Sequence, residues 1–226
     1  MSINIVNRID DLVKVRNVLV SVSDKTALEQ LIPGIREINP KVHFYSTGGT
    51  FKRLGEILGA SADACLNRVS DYTGQPETQG GLVKTLDFKI YLGLLTETYN
   101  PDHQDDLTRT AAVPIDMVVV NLYPFAATIA RQGVSVENAR GNIDIGGPCM
   151  LRAAAKNYIR VASVVEPGDY GRILDELKKN KGCCTLSLRC QLARKAFDHS
   201  ATYDRAIADY LASQADDAVR ACYTFI

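Results

Sequence analysis

The 226-residue sequence has no excess of charge of either sign and no long apolar run. Its 26 basic and 26 acidic side chains cancel, which excludes a global positive field for holding a nucleic-acid backbone or an anionic membrane. No apolar stretch approaches the length of a membrane span, and residues 1–14 lack the basic-then-apolar order of a signal peptide. The sequence therefore predicts a cytoplasmic protein with a small-molecule partner and with no nucleic-acid or membrane partner.

Residues in metal-binding patterns are also scarce. The six cysteines are scattered, no C-x-x-C motif occurs, and the cluster of Cys183, Cys184 and Cys190 has no histidine near it before His199. This spacing does not predict a zinc site, and a chain of this length does not need a disulfide framework. We therefore expect reduced thiols and no metal site.

Short apolar runs alternate with helical patterns along most of the chain. The runs at 18–22, 42–46, 117–121 and 161–165 predict buried strands, and the patterns at 26–38, 50–58, 147–156 and 167–179 predict helices. Such alternation with short connections indicates an α/β fold with a doubly wound, mainly parallel sheet. We expect one domain, with a core over about 15–180 and a helical extension over about 185–214. An interruption near His199 and Ser200 suggests that this extension is a helical hairpin.

Two loops that follow predicted strands carry groups that bind phosphate. In a parallel sheet, ligands bind at the carboxyl ends of the strands. Hydroxyl and ammonium groups follow the first strand, and a glycine pair that exposes backbone N–H groups opens the next helix. These substrate-binding candidates are Ser23, Lys25, Thr26, Thr47, Gly48, Gly49 and Thr50. Together they suit a ribose 5′-phosphate.

A third segment, residues 141–157, combines an acid with two glycines before an alanine-rich helix. Asp144 lies just outside the predicted first turn, and Gly146 and Gly147 allow close approach to the backbone. Unpaired N–H groups at a helix start are donors for an anion or a developing negative charge. The segment therefore predicts a second polar end to the same site.

Together with 20–26, 46–50, 80–86 and 121–125, this segment resembles IMP cyclohydrolase, and the resemblance runs from about Asn17 to Tyr210. That family usually forms the N-terminal half of a bifunctional purine-biosynthesis protein whose other half is an aminoimidazole-carboxamide ribonucleotide (AICAR) formyltransferase. The resemblance implies a methylglyoxal synthase-like fold and a homodimer. It also implies ring closure of 5-formamidoimidazole-4-carboxamide ribonucleotide (FAICAR) to inosine monophosphate (IMP), with loss of water and without a cofactor. A separate formyl-transferring enzyme would then supply FAICAR to a stand-alone cyclohydrolase.

The resemblance also assigns site residues. Lys84, Tyr123, Asp144 and Lys156 match catalytic positions, and Thr85 and Asn121 match positions that hold the base or carboxamide. Ile145 and Gly146 match positions whose N–H groups meet the oxyanion. An ammonium beside a phenol favours the phenolate, so Lys84 and Tyr123 could relay a proton. One straight helix over 147–156 would place Lys156 about 13 Å from its start, so Lys156 acts elsewhere on the ligand, acts across a subunit boundary, or follows a helix break.

The sequence departs from the family in one loop. Where the family has G-G-R-V-K-T-L-H-P, this chain has Leu82 in place of the arginine and Asp87-Phe88 in place of His-Pro. Arg53 and Arg68 are candidates to replace the missing guanidinium.

Three alternatives to this assignment stay open. One is a non-catalytic nucleotide- or phosphate-binding regulatory domain, of the type found in carbamoyl-phosphate synthetase. Another is a methylglyoxal synthase, in which Asp24 would be the base. The third is a cyclohydrolase relative that has lost activity.

Overall fold

A computed structural model describes residues 5–76 and 84–226 and contains two sheets within them. The strands are β1 (Leu12–Lys14), β2 (Asn17–Val22), β3 (His43–Ser46), β4 (Leu66–Arg68), β5 (Met117–Asn121), β6 (Ala162–Val164) and β7 (Cys183–Thr185). Strands β2 to β6 form a parallel sheet in the order β4-β3-β2-β5-β6, and β1 pairs with β7 in an antiparallel ribbon. The predicted α/β fold with a mainly parallel sheet is confirmed.

The chain winds in two directions from the middle of this sheet. It runs outward from β2 to β3 and β4, then crosses to the other side of β2 for β5 and β6. The carboxyl ends of β2 and β5 are therefore neighbours at the point where the winding reverses. In open α/β sheets this point is a crevice that binds ligands.

Helices cover both faces of the sheet, and the strands are consequently apolar on both faces. In β2, Val18 and Val20 pack into one core cluster and Leu19 into the other, as the alternation of side chains in a strand requires. The first cluster includes side chains of α1 (Leu28–Ile38), α2 (Gly48–Leu58) and α10 (Tyr170–Lys179). The second includes side chains of α5 (Phe88–Leu95), α9 (Gly146–Lys156) and α11 (Leu186–Ala212).

Six shorter or peripheral helices complete the described ranges: α3 (Ala62–Cys65), α4 (Val69–Thr73), α6 (Pro101–Thr110), α7 (Phe125–Ile129), α8 (Val136–Gly141) and α12 (Asp216–Arg220). Two 3₁₀ turns occupy Gly59–Ser61 and Pro167–Asp169. The side chain of Asp87 accepts a hydrogen bond from the N–H of Lys89 and caps α5. None of the helices in 5–76 and 84–226 has both the length and the apolarity to cross a membrane.

The predicted helical hairpin is wrong, because α11 is one continuous helix of 27 residues. Its buried side includes Leu188, Leu192, Ala196 and Ser200, which follow one another at intervals of four. The interruption expected at Ser200 is therefore a small polar residue on an unbroken buried stripe. No glycine or proline occurs between Leu186 and Ala212, so nothing in the sequence breaks the helix.

A buried ion pair fastens the amino ends of three strands. The Nη1 of Arg160, just before β6, lies 3.0 Å from Oδ1 of Asp116, just before β5. Oδ2 of Asp116 accepts the N–H groups of Arg16 and Asn17 at the start of β2, at 2.8 and 2.9 Å. Both charged side chains are only 6% exposed. The pair therefore fixes the relative positions of strands whose opposite ends carry the site.

Candidate functional site

A cavity of about 390 Å³ opens at the carboxyl ends of β2, β3 and β5 and at the start of α9. This volume is within the range of small-molecule sites. The structure brings all the predicted site residues into its lining except Thr26 and Lys156. Those that line it are Ser23, Lys25, Thr47, Gly48, Gly49, Thr50, Lys84, Thr85, Asn121, Tyr123, Asp144, Ile145 and Gly146.

One end of the cavity is built to receive an anion. Gly48 and Gly49 open α2, and Gly48 has a φ of 48°, which favours glycine. A Cβ placed on Gly48 would lie 3.4 Å from Nζ of Lys84, and one on Gly49 would lie 3.9 Å from Cε of Lys25. Two side chains that carry ammonium groups therefore flank free N–H groups at the N-terminus of an 11-residue helix. The helix dipole and the two cations all favour a negative group here.

The loop after β2 is held from β5 by Asn121. Oδ1 of Asn121 accepts the N–H groups of Ser23 and Asp24 at 2.6 and 2.8 Å, and its Nδ2 donates to the carbonyl of Asp24 at 2.8 Å. Asn121 lines the cavity, but most of its hydrogen-bonding capacity is used by this loop. The structure thus gives Asn121 a positioning role that the sequence did not predict.

Two of the predicted hydroxyls are bound within the protein. Thr26 is exposed outside the cavity, and its Oγ1 donates to Oδ1 of Asp24 at 2.6 Å. Hydrogen bonds from the hydroxyl and the backbone N–H of Thr26 lower the pKa of Asp24. Thr50 is buried, and its Oγ1 donates to the carbonyl of Val22 at 3.0 Å. Of the predicted hydroxyl groups near the glycine pair, those of Ser23 and Thr47 are left to contact an anion.

The other end of the cavity centres on Asp144. Asp144 lines the cavity, and its Oδ1 accepts a hydrogen bond from the N–H of Gly147, in the first turn of α9, at 2.9 Å. A Cβ on Gly147 would lie 2.7 Å from Oδ2 of Asp144 and 2.6 Å from Cδ2 of Leu122, so only glycine fits there. This arrangement fixes the carboxylate, and within residues 5–76 and 84–226 its Oδ2 accepts no hydrogen bond from the protein.

Tyr203 of α11 holds the backbone of Asp144 in place. Its hydroxyl accepts the N–H of Asp144 at 2.8 Å, and its ring packs edge-on against Phe125 at 6.2 Å between ring centroids. Burial raises the pKa of Tyr203, so the hydroxyl stays protonated. The sequence placed Tyr203 in a segment that resembles the family but not in the site, because no local pattern indicates which loop a residue of α11 touches.

Thr85 and Tyr123 border the Asp144 end. Thr85 is buried, and a Cβ on Gly146 would lie 2.6 Å from its Oγ1, so the hydroxyl reaches the start of α9. Tyr123 follows β5, lines the cavity and is 52% exposed. A hydroxyl thus lies beside the N–H groups that open α9, and a phenol lines the same cavity.

Lys156 does not reach this cavity within one chain. Helix α9 is unbroken from Gly146 to Lys156, which excludes a helix break, one of the three possibilities, and puts the two ends about 15 Å apart. The side chain of Lys156 is exposed. The catalytic role of Lys156 therefore stays a prediction. Leu82, which stands where the family has an arginine, lies outside the described residues.

Among the residues that the structure describes, no group of three or more histidine, cysteine, aspartate or glutamate side chains is placed to hold a metal ion. The remaining lining of the cavity is mostly glycine or apolar, and apart from Gly147 the sequence analysis singled out none of it. These residues are Ser21, Val22, Leu86, Gly141, Ile143, Gly147 and Met150. They neighbour the motifs, but their types carry no chemical signal.

The fold and this strand-end cavity define an MGS-like domain. The MGS-like domain family matches residues 28–149, and the chain belongs to that family. A second family, the AICARFT/IMPCHase bienzyme, matches residues 154–225 and confirms the resemblance inferred from the motifs.

Two curated relatives are named bifunctional purine biosynthesis protein PurH. The protein of Magnetococcus marinus is 47% identical over 88% of this chain and 36% of its own length. That of Rhodopirellula baltica is 47% identical over 91% of this chain and 38% of its own length. The chain therefore spans less than two fifths of these relatives. A solved structure titled "Crystal structure of ForH" has a TM-score of 0.72 and 31% identity, and the match covers 85% of this chain and 97% of that one.

Proposed function

We propose that the protein closes the ring of FAICAR to form IMP, the cyclohydrolase step of de novo purine biosynthesis. The observation that carries this proposal is a single cavity with an anion-binding end at Gly48 and Gly49 and a fixed carboxylate at the other end. A ribonucleotide has a phosphate at one end and a reactive base at the other. The relatives named as purine biosynthesis proteins support the same assignment.

The reaction requires a poor nucleophile to attack a formyl group. The carboxamide nitrogen of FAICAR loses a proton and forms a bond to the formyl carbon, whose oxygen becomes negative. The carbon–oxygen bond then breaks, the formamido nitrogen loses its proton as the carbon–nitrogen double bond of the ring forms, and the oxygen leaves as water after taking up two protons. Oδ2 of Asp144 accepts the proton that the carboxamide nitrogen loses, because Oδ1 is already held by Gly147. The N–H groups of Ile145 and Gly146 stabilise the developing oxyanion.

The remaining side chains bind and orient the substrate. Lys25 and Lys84 neutralise the phosphate, since the structure places both beside the glycine pair. Thr85 donates to the carboxamide or base, and Tyr123 protonates the leaving oxygen. A proton relay between Lys84 and Tyr123 stays a prediction. Because both reacting groups belong to one substrate, holding them in contact supplies much of the rate.

Purified protein is expected to convert FAICAR to IMP without added metal, folate or nucleotide, and activity should survive exhaustive treatment with a chelator. The reason is that the proposed proton acceptor and oxyanion donors are all protein groups. The rate is measured from the rise in absorbance of the purine ring, and mass spectrometry confirms that the product is IMP.

Two other results would oppose the proposal. Tight binding of IMP with no turnover of FAICAR would favour a regulatory phosphate-binding domain. Release of inorganic phosphate from dihydroxyacetone phosphate, dependent on Asp24, would favour a methylglyoxal synthase.

A further inference from the structure

A third cation, Arg68, lies near Thr47 and Lys84, at the carboxyl end of the outermost strand. Arg68 is the last residue of β4, which pairs with β3, and β3 leads directly into Thr47 and Gly48. Arg68 lines a small recess together with Thr47 and Lys84, both of which also line the main cavity. The recess thus adjoins the anion-binding end of the main cavity.

The Arg68 side chain is held in place by an aromatic ring. Its Cζ lies 4.2 Å from the ring centroid of Phe51, which is in the first turn of α2. Stacking on a ring restricts the guanidinium and reduces the entropy lost when it forms further hydrogen bonds. Arg68 as a whole is half-buried.

Arg53, the other candidate to replace the missing arginine, is placed differently. It lines neither the main cavity nor the recess. These two arginines therefore form a natural pair for comparison, because they have the same charge and different positions.

We propose that Arg68 binds the substrate phosphate, as the third cation beside Lys25 and Lys84. This rests on the proposed function for the identity of the substrate, but its chemistry requires only a dianionic phosphate monoester. The planar guanidinium donates two parallel hydrogen bonds to phosphate oxygens, which an ammonium cannot do. Arg68 would thereby supply the bidentate donor that the loop carrying Leu82 lacks.

The test measures binding of IMP and of ribose 5-phosphate to wild-type protein and to Arg68→Ala, Arg68→Lys and Arg53→Ala, by calorimetry and NMR titration. Arg68→Ala is expected to weaken both ligands by roughly ten- to a hundredfold, the usual effect of losing hydrogen bonds to a charged group. Arg68→Lys should be intermediate, and Arg53→Ala should bind like wild type. In FAICAR turnover, Arg68→Ala should raise KM and leave kcat nearly unchanged.

Equal affinities for Arg68→Ala, Arg53→Ala and wild type would overturn the proposal, as would wild-type protein that binds neither ligand. Thermal melting checks that the variants are folded, and Arg68→Lys preserves the test if Arg68→Ala does not fold. The outcome is separate from that of the proposed function. Binding of ribose 5-phosphate that depends on Arg68, without any formation of IMP from FAICAR, would support the phosphate site and reject the ring closure.

Discussion

Replacing Asp144 with asparagine is expected to lower kcat for FAICAR ring closure by roughly 10²- to 10⁴-fold, the usual contribution of a positioned acid or base. Asparagine keeps the shape of the side chain and can still accept the N–H of Gly147 through its carbonyl oxygen. It removes the charge and the ability to accept a proton at the second oxygen. The loss should therefore appear in turnover rather than in folding, and steady-state kinetics with a melting curve measure both.

Lys25→Ala is the matched comparison for this variant, because Lys25 lines the opposite end of the cavity. A phosphate contact is made equally in the ground state and the transition state, so its loss should raise KM and spare kcat. An Asp144→Asn enzyme with unchanged kcat would remove Asp144 from the proposed chemistry. A raised KM with unchanged kcat in both variants would mean that both ends of the cavity only bind substrate and take no part in the chemistry.

Replacing Asp116 with alanine is expected to lower the free energy of unfolding by about 3–5 kcal/mol, the usual cost of breaking a buried ion pair. The variant leaves the guanidinium of Arg160 buried without its counter-charge and leaves the N–H groups of Arg16 and Asn17 without their acceptor. Urea unfolding followed by circular dichroism measures the change.

Asp106→Ala is the control for Asp116→Ala. Asp106 pairs with Arg109 at 2.7 Å on the surface, where the two side chains are 38% and 72% exposed. Exposed pairs contribute about 0–1 kcal/mol, so this variant should be nearly as stable as wild type. Equal losses in the two aspartate variants would contradict the structural role given to Asp116 and Arg160.

Much of the fold could be predicted because a parallel sheet buried on both faces leaves continuous apolar runs. The run at β5, MVVVN, and the run at β2, NVLVSV, show this plainly. The strand β4 was missed because two of its three residues, LNR, are polar and it lies at the edge of the sheet. The continuity of α11 was missed because Ser200 interrupts the apolar pattern without interrupting the helix.

The loops that line the cavity could be predicted because strand ends in a parallel sheet share one edge. Which groups remain available to a ligand could not, since that depends on contacts between distant segments. The amide of Asn121 is occupied by the loop after β2, and the hydroxyl of Thr26 by Asp24. Tyr203, which holds Asp144, lies 59 positions further along the chain.

A crystal structure of the protein with bound IMP tests most directly whether one nucleotide spans the cavity in the proposed orientation. We expect the phosphate to accept the N–H groups at the start of α2, between Lys25 and Lys84. The purine ring should lie against Asp144, with its C2, the former formyl carbon, nearest the N–H groups of Ile145 and Gly146. A nucleotide bound in the reverse orientation, or bound outside this cavity, would contradict the proposed function.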